Sequence, residues 1–250
     1  MGDAKGEALS IATTSTLPLQ LIDIGYRASS ATSPLEILGN INLTVTPHTR
    51  TIILGPNGAG KSILLRIMHG LLPPSTGTVQ WASMNPNAQA MVFQKPIMLR
   101  RSVLANIEFA LQVSGKFKGD IHRIALQTLE KSGIAHLAHR QARQCSGGEQ
   151  QRIALARAWA IEPEILFLDE PCASLDPSAT KSVETTIQAI HSVGTTIVMT
   201  SHDLGQANRL ADRIIFLHQG RIKDDCDANT FFHKTPSASA QAFLKGDLLC

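Results

Sequence analysis

In TIILGPNGAGKSILLRIM (51–68) a short apolar run, a glycine-rich turn and a second apolar run follow one another without a break. The first run, TIIL, suits a strand buried on both faces, and ILLRIM suits a helix packed against a sheet. Between them, GPNGAGKS fits GxxxxGK[ST] in the strand, loop, helix context that this motif requires. Its glycines let backbone amides turn inward around phosphate oxygens, and the following helix points its positive end at them. Gly55, Pro56, Asn57, Gly58, Ala59 and Gly60 are therefore expected to form the cradle. Lys61 would reach the β and γ phosphates of a nucleotide, and Ser62 would hold magnesium. Strand, loop and helix recur in succession along the chain, which argues for an α/β fold with a parallel-sheet core.

Further short apolar runs at MVF (91–93), ILFL (165–168) and TIVMT (196–200) read as buried strands, and INLTV (41–45) alternates as a half-exposed one. Helical segments are expected over 61–68, 149–160 and roughly 178–191. Between Lys95 and Arg143 no buried-strand pattern occurs, and IHRIALQTLEKSG has helical spacing ending at Gly133, so a helical insertion is expected there. IIFLHQGRIKDD reads as two strands turning at Gly220. In QCSGGEQQR (144–152), Ser146 and Glu149 form a capping box that opens a helix. Two glycines in its first turn cost roughly 1 kcal/mol each against alanine. Gly147 and Gly148 thus point to something that approaches the backbone closely.

A second acidic site narrows the chemistry. ILFLDE places Asp169 and Glu170 at the end of an apolar strand, where Asp169 can meet magnesium and Glu170 an attacking water.

Composition adds mainly exclusions. At 250 residues the chain can bury a substantial core, and a net charge of +3 gives no argument for a nucleic-acid surface. Its four cysteines, Cys145, Cys172, Cys226 and Cys250, have no metal-ligand spacing and read as free thiols. Cys172, two residues past Glu170, reads as packing because no cation in its neighbourhood would activate it. No apolar run approaches the roughly 20 residues needed to span a bilayer. Residues 1–18 read as a flexible lead-in without a secretory signal.

With these motifs in order, the chain from about Leu19 to Asp225 resembles the ATP-binding subunits of ABC transporters, within the P-loop NTPases. GPNGAGKS resembles Walker A, ILFLDE Walker B, SLD (174–176) the D-loop, and SGGE the signature usually written LSGGQ. Gln94 in VFQKP resembles the Q-loop residue and His202 in MTSHD the switch histidine. The resemblance implies an antiparallel β-subdomain, a helical subdomain over about 95–144, and a C-terminal helical tail over 226–250. It implies that Gln94 joins Ser62 and Asp169 around magnesium, that His202 contacts the γ phosphate, and that Asp176 lies at the nucleotide. Tyr26 would stack on adenine. Ile63 stands where the family commonly has Thr, which implies weaker nucleotide affinity.

Two subunits of this family face head to tail, so Ser146, Gly147 and Gly148 of one would cover the γ phosphate held by the other. The implied partners are a second copy, integral-membrane permease subunits received by Pro96 to Asn106, and indirectly a solute-binding protein; no nucleic acid is expected. The implied place is the cytoplasmic face of the inner membrane, peripherally bound. HRQARQ before the signature lacks the Gly-Glu pair of exporters, which favours an importer. VFQKPIMLRRSV looks closest to importers of tungstate and related oxyanions, and is also similar to those for phosphate and polar amino acids. The competing reading is a soluble ABC-type ATPase acting on nucleic acid or ribosomes. A single cassette without a heptad run argues against it.

Overall fold

A computed structural model describes residues 15–28, 35–83, 85, 88–235 and 237–247. Its centre is a six-stranded sheet in the order β5-β6-β7-β3-β8-β9. β3 (Arg50–Leu54), β5 (Gln89–Val92), β6 (Ile165–Asp169), β7 (Thr196–Ser201) and β8 (Arg213–His218) run parallel, and β9 (Arg221–Asp227) closes the edge antiparallel to β8. The strands are continuous apolar runs because both faces are covered. Ile52, Leu54, Leu166, Leu168, Ile214 and Phe216 face one core, and Ile53, Ile165, Phe167, Ile215 and Leu217 face the other. That alternation is the period of two expected of a strand.

The second core is closed by a three-stranded antiparallel sheet, order β2-β1-β4, formed by β1 (Leu19–Ala28), β2 (Leu35–Val45) and β4 (Thr76–Trp81). α1 (Lys61–His69) lies between the sheets, with Leu64, Leu65, Ile67 and Met68 buried. Gly60 at φ +98° begins this helix and Gly70 at φ +86° ends it, both in the left-handed region that costs glycine nothing.

The opposite face carries the helices. α2 (Val103–Ser114) and α3 (Ile121–Lys131) form the expected insertion, followed by two short 3₁₀ turns. α4 (Gly147–Ala160) joins this insertion to the sheet and packs beside α5 (Pro177–Ser192). α6 (Leu204–Leu210) follows β7, while α7 (Ala228–Lys234) and α8 (Ala238–Lys245) pack near β9. No helix of the described residues is long and apolar enough to cross a membrane.

Both expected boundaries differ from what the described residues show. Ser15 to Pro18 are tied to the fold: Glu164 accepts hydrogen bonds from Ser15 Oγ, Thr16 N and Thr16 Oγ1 at 3.1, 2.8 and 3.0 Å, and Leu17 is buried in the second core. Residues 1–14 lie outside the described residues. At the other end, β9 continues through Asp227, paired Arg213↔Asp227. The helical tail therefore starts at Ala228, capped by Asp227 accepting from Thr230 N.

Candidate functional site

β6, β7 and β3 are adjacent, so their carboxyl ends bring the separate motifs together. In-register pairing sets Asp169 opposite Thr200 and Leu54 opposite Ser201. Crevices outside the carboxyl ends of parallel strands are where α/β folds bind ligands. Here one finds a cavity of about 670 Å³, lined by Asn57, Gly58, Ala59, Gly60, Lys61, Ser62, Ile63, Gln94 and Glu170.

The side chains within this crevice form one connected network. Ser62 Oγ donates to Asp169 Oδ1 at 2.7 Å, and Thr200 Oγ1 donates to the same oxygen at 2.9 Å. Thr200 Oγ1 also accepts from Glu170 N at 3.0 Å, so a single hydroxyl fixes both acidic residues. Lys61 Nζ donates to the carbonyls of Gly55 and Pro56 at 2.8 and 3.1 Å and lies 3.6 Å from Glu170 Oε1. Glu170 Oε2 is 3.1 Å from His202 Nδ1. Burial pushes the Lys61 ammonium below the usual lysine value, with Glu170 and Asp169 pulling it back up.

Backbone strain accompanies these contacts. Glu170 has φ +43° and Ser174 φ +62°, conformations that persist in non-glycine residues only where the surroundings hold them. At Gly55 a Cβ would lie 2.0 Å from Leu217 O, which is why the cradle begins with glycine.

The donors fit a hard cation. A serine hydroxyl beside a carboxylate offers oxygen ligands of the sort magnesium takes when phosphates complete its shell. No cluster of three or more His, Cys, Asp or Glu side chains is present among the described residues, and a magnesium–nucleotide site does not need one.

Several walls of the cavity were not anticipated from sequence. Leu35, Glu36 and Ile37 of β2 line it, as do Gln219 and Gly220 in the turn between β8 and β9. A Cβ on Gly220 would meet Ile37 O at 2.1 Å, so that turn can sit against β2 only with glycine. Gly220 N also donates to Ala59 O at 3.3 Å. The glycine in HQGRI was visible in the sequence as a turn; its contact with the phosphate loop was not.

Tyr26 is not among the residues lining this cavity. It sits on β1 opposite Leu38, packs against the second core, and lines a separate hollow of about 200 Å³ with Gly25, Arg27 and Glu36. The apolar surface bordering the phosphate-loop cavity comes instead from Leu35, Ile37 and Ile63. Asp176 caps α5, accepting from Ser178 N and Ala179 N at 2.9 Å each. The Ala179 amide and then that of Ser178 hold its carboxyl below the usual range.

The signature segment also lies apart. Ser146 and Glu149 make the full capping box, with Ser146 N donating to Glu149 Oε2 at 2.7 Å and Glu149 N donating to Ser146 Oγ at 3.3 Å. The two glycines differ. A Cβ at Gly148 would stand 2.7 Å from Ala179 Cβ of α5, whereas at Gly147 it would meet nothing within 4 Å. Packing of α4 on α5 thus accounts for Gly148, whereas no neighbour within the fold accounts for Gly147. Cys145 is buried, and Cys172 is half-buried with its thiol pushed up to about 12 by burial, which keeps it unreactive.

A second surface feature is an apolar groove of about 440 Å³ between the helical insertion and the sheet. Phe93, Leu99, Phe109, Val113, Arg157 and Leu71 are among its walls, and Leu71, Phe93 and Val113 are exposed. The expected docking stretch over residues 96–106 coincides with it only at Leu99. Asn106 is fully buried, with its side chain accepting from Leu99 N at 3.0 Å and donating to Ser102 O at 2.9 Å. It holds the segment's shape from beneath rather than offering a surface.

Comparison with known proteins meets this geometry from outside. The profile of the family described as "ABC transporter" matches residues 38–173. The chain is 33% identical over 225 residues to the glutamine transport ATP-binding protein GlnQ of Escherichia coli K12, covering 85% of this chain and 94% of that one. It is 39% identical over 196 residues to the tungstate uptake system ATP-binding protein TupC of Peptoclostridium acidaminophilum, covering 76% and 90%. Among solved structures, the dimeric post-hydrolysis ATP-binding cassette MJ0796 bound to ADP and Pi superposes with a TM-score of 0.74 at 26% identity, covering 84% and 98%.

Proposed function

The chain belongs to the ABC transporter family, as an ATP-binding subunit of importer type that hydrolyses ATP with magnesium, and on that premise we propose the roles of its residues, its partners and its cargo. The observation that carries the residue roles is the network joining Lys61, Ser62, Asp169, Glu170, Thr200 and His202 at three adjacent strand ends.

Glu170 accepts the proton of the attacking water as general base, and His202 holds its carboxylate in position from the far side. Lys61 turns from the Gly55 and Pro56 carbonyls to the β and γ phosphates. Ser62 and Asp169 would hold magnesium, with Gln94 at the same cavity wall, and the bound ion would supply charge neutralisation to the phosphates. General-base catalysis contributes about 10²- to 10⁴-fold, or roughly 3 to 5 kcal/mol of barrier. Glu170→Gln should therefore nearly abolish turnover while ATP still binds, and a variant retaining more than about a tenth of the parent rate removes Glu170 from this role.

Ser146 and Gly147 lie outside the cavity that holds Lys61, so a second copy facing head to tail supplies the signature. The apolar groove beside Gln94 receives a cytoplasmic segment of the permease, which places the subunit at the cytoplasmic face of the membrane, with a solute-binding protein delivering cargo from the other side. For the cargo we favour tungstate or a related oxyanion, supported by the 39% identity to the tungstate uptake subunit; polar amino acids and phosphate are the alternatives. Uptake of labelled tungstate by cells lacking this chain decides between them. Loss of tungstate uptake with glutamine and phosphate uptake intact supports the oxyanion reading, and unaffected tungstate uptake refutes it.

A further inference from the structure

The signature of this chain ends in a carboxylate, Glu149, on the same helical turn that the proposed function presents to a γ phosphate of another copy. Two like charges brought together repel unless a third charge intervenes. We propose that Arg140 is a positioning residue that neutralises Glu149 and so lets this signature close over a nucleotide's polyphosphate. The inference rests on the reading of Ser146 and Gly147, at the start of α4, as the group that covers the γ phosphate.

Three observations carry it. Arg140 Nη1 stands 3.6 Å from Glu149 Oε2, the oxygen that also accepts from Ser146 N, and it is the one cation within 4.0 Å of that carboxylate among the described residues. Its Nη2 donates to Gln144 O at 2.9 Å, so the guanidinium spans the turn leading into α4. The backbone of Arg140 is itself held, donating to Leu137 O and accepting from Val103 N at 2.9 Å each, which fixes the origin of its side chain against the start of α2. The capping role already holds Glu149 in one rotamer, so its charge cannot swing away from the signature. The Ser146 amide keeps its carboxyl below the usual range, and it is ionised at neutral pH.

A positive fork beside a fixed carboxylate leaves the turn close to neutral, and the helix amides then dominate what an approaching phosphate meets. Loss of Arg140 leaves the more distant Arg152 as the remaining cation acting on that carboxylate, so an approaching phosphate meets more of its charge. If Arg140 served only to brace the turn through Gln144 O, its loss would cost the same whichever residue stood at 149.

The test is a cycle on the full-length chain: the parent, Arg140→Met, Glu149→Gln and the double variant, each assayed for ATPase kinetics and for ATP-driven dimerisation by light scattering. We expect Arg140→Met to raise the ATP concentration at half-maximal rate by about three- to fivefold, the effect of losing one neighbouring charge in a partly exposed site. The same change in the Glu149→Gln background should shift it by less than about twofold. Arg140→Lys, which keeps the charge and loses the fork, should lie near the parent, and it covers the case in which Arg140→Met does not fold. Equal effects of Arg140→Met in both backgrounds, or Arg140→Lys as impaired as Arg140→Met, overturn the inference. Gly147→Val separates this outcome from failure of the parent reading. If Gly147→Val leaves ATP-driven dimerisation intact, the signature reading itself is wrong; if it abolishes dimerisation while the cycle shows no coupling, only the role of Arg140 falls.

Discussion

Replacing each signature glycine by alanine separates folding from function at neighbouring positions. In Gly148→Ala the new methyl would stand 2.7 Å from Ala179 Cβ, against about 3.5–4.0 Å for carbon atoms in favourable contact. The clash is with a Cβ on the first turn of α5, which has no rotamer through which to yield, so α4 and α5 must separate by roughly 1 Å. Overpacking of this order costs about 1–3 kcal/mol, and the gain in helix propensity returns at most about 1 kcal/mol. A net loss of about 1–2 kcal/mol lowers the unfolding midpoint by about 2–8 °C in a chain of this size. Gly147→Ala meets no atom within 4 Å, so propensity alone acts, and the midpoint should stay level or rise by about 1–3 °C. Activity should follow another order, with Gly147→Ala losing about tenfold or more in ATP turnover despite its intact fold. Thermal unfolding of the nucleotide-free chain, beside steady-state ATPase rates, reads both quantities. If Gly147→Ala unfolds as early as Gly148→Ala, Gly147 is a folding residue, and if it hydrolyses ATP like the parent, the approach of an outside group is refuted.

Other perturbations test separate parts of the structure. Leu99→Asp, in the wall of the apolar groove, should uncouple transport in reconstituted vesicles while sparing basal hydrolysis; unaltered transport would remove the groove from the docking role. Thr200→Val deletes the hydroxyl shared by Asp169 and Glu170 and should lower kcat about tenfold or more with a stability loss of about 1–2 kcal/mol, seen as a kcat change larger than any change in KM. Arg209→Met strips the two bonds of 2.9 and 2.6 Å from the largely buried carboxylate of Glu184, and urea titration should show a loss of about 1–2 kcal/mol once the exposure of Arg209 is allowed for. With its pKa pushed from the ordinary 9.0 up to about 12, the Cys172 thiol has about a thousandth of the thiolate of a free cysteine below pH 9. Alkylation followed by mass spectrometry at pH 8 should find it slower than a free thiol by that factor.

The parts of this fold that were legible in the sequence are those where one short segment decides its own surroundings. Runs such as TIIL and ILFL are apolar at every position because the sheet is covered on both faces, and the phosphate loop announces itself by glycines with fixed spacing. β1 and β4 were harder to read. The alternation in β1 is broken by bulges and by Asp23 at φ +51°, and β4 is largely exposed. Long-range contacts left no local trace: nothing in HQGRI says that its turn packs on the phosphate loop, and nothing in SGG says that Ala179 lies over the second glycine. Tyr26 shows the same limit from the other side, since its type and place in the chain resemble an adenine platform, while its neighbours Leu38, Gly25, Arg27 and Glu36 follow from pairing of β1 with β2 that the segment alone does not reveal. The order at residues 15–18 depends on Glu164, 148 positions away from Thr16, a partner that no reading of the amino-terminal stretch alone would supply.

The hydroxyl of Thr200 has a consequence for how this protein can go wrong. It reaches Asp169 because β7 lies on β6 in a single register, Asp169 opposite Thr200. A slip by one residue turns every side chain of a strand to the other face, so a misaligned sheet would bury Thr200 where it cannot reach either acid. Such a molecule could still be compact and rich in secondary structure, and it would be inert. Specific activity in a preparation of this chain is therefore a gauge of how many molecules have aligned their central strands correctly, a quantity to which circular dichroism and gel filtration are blind.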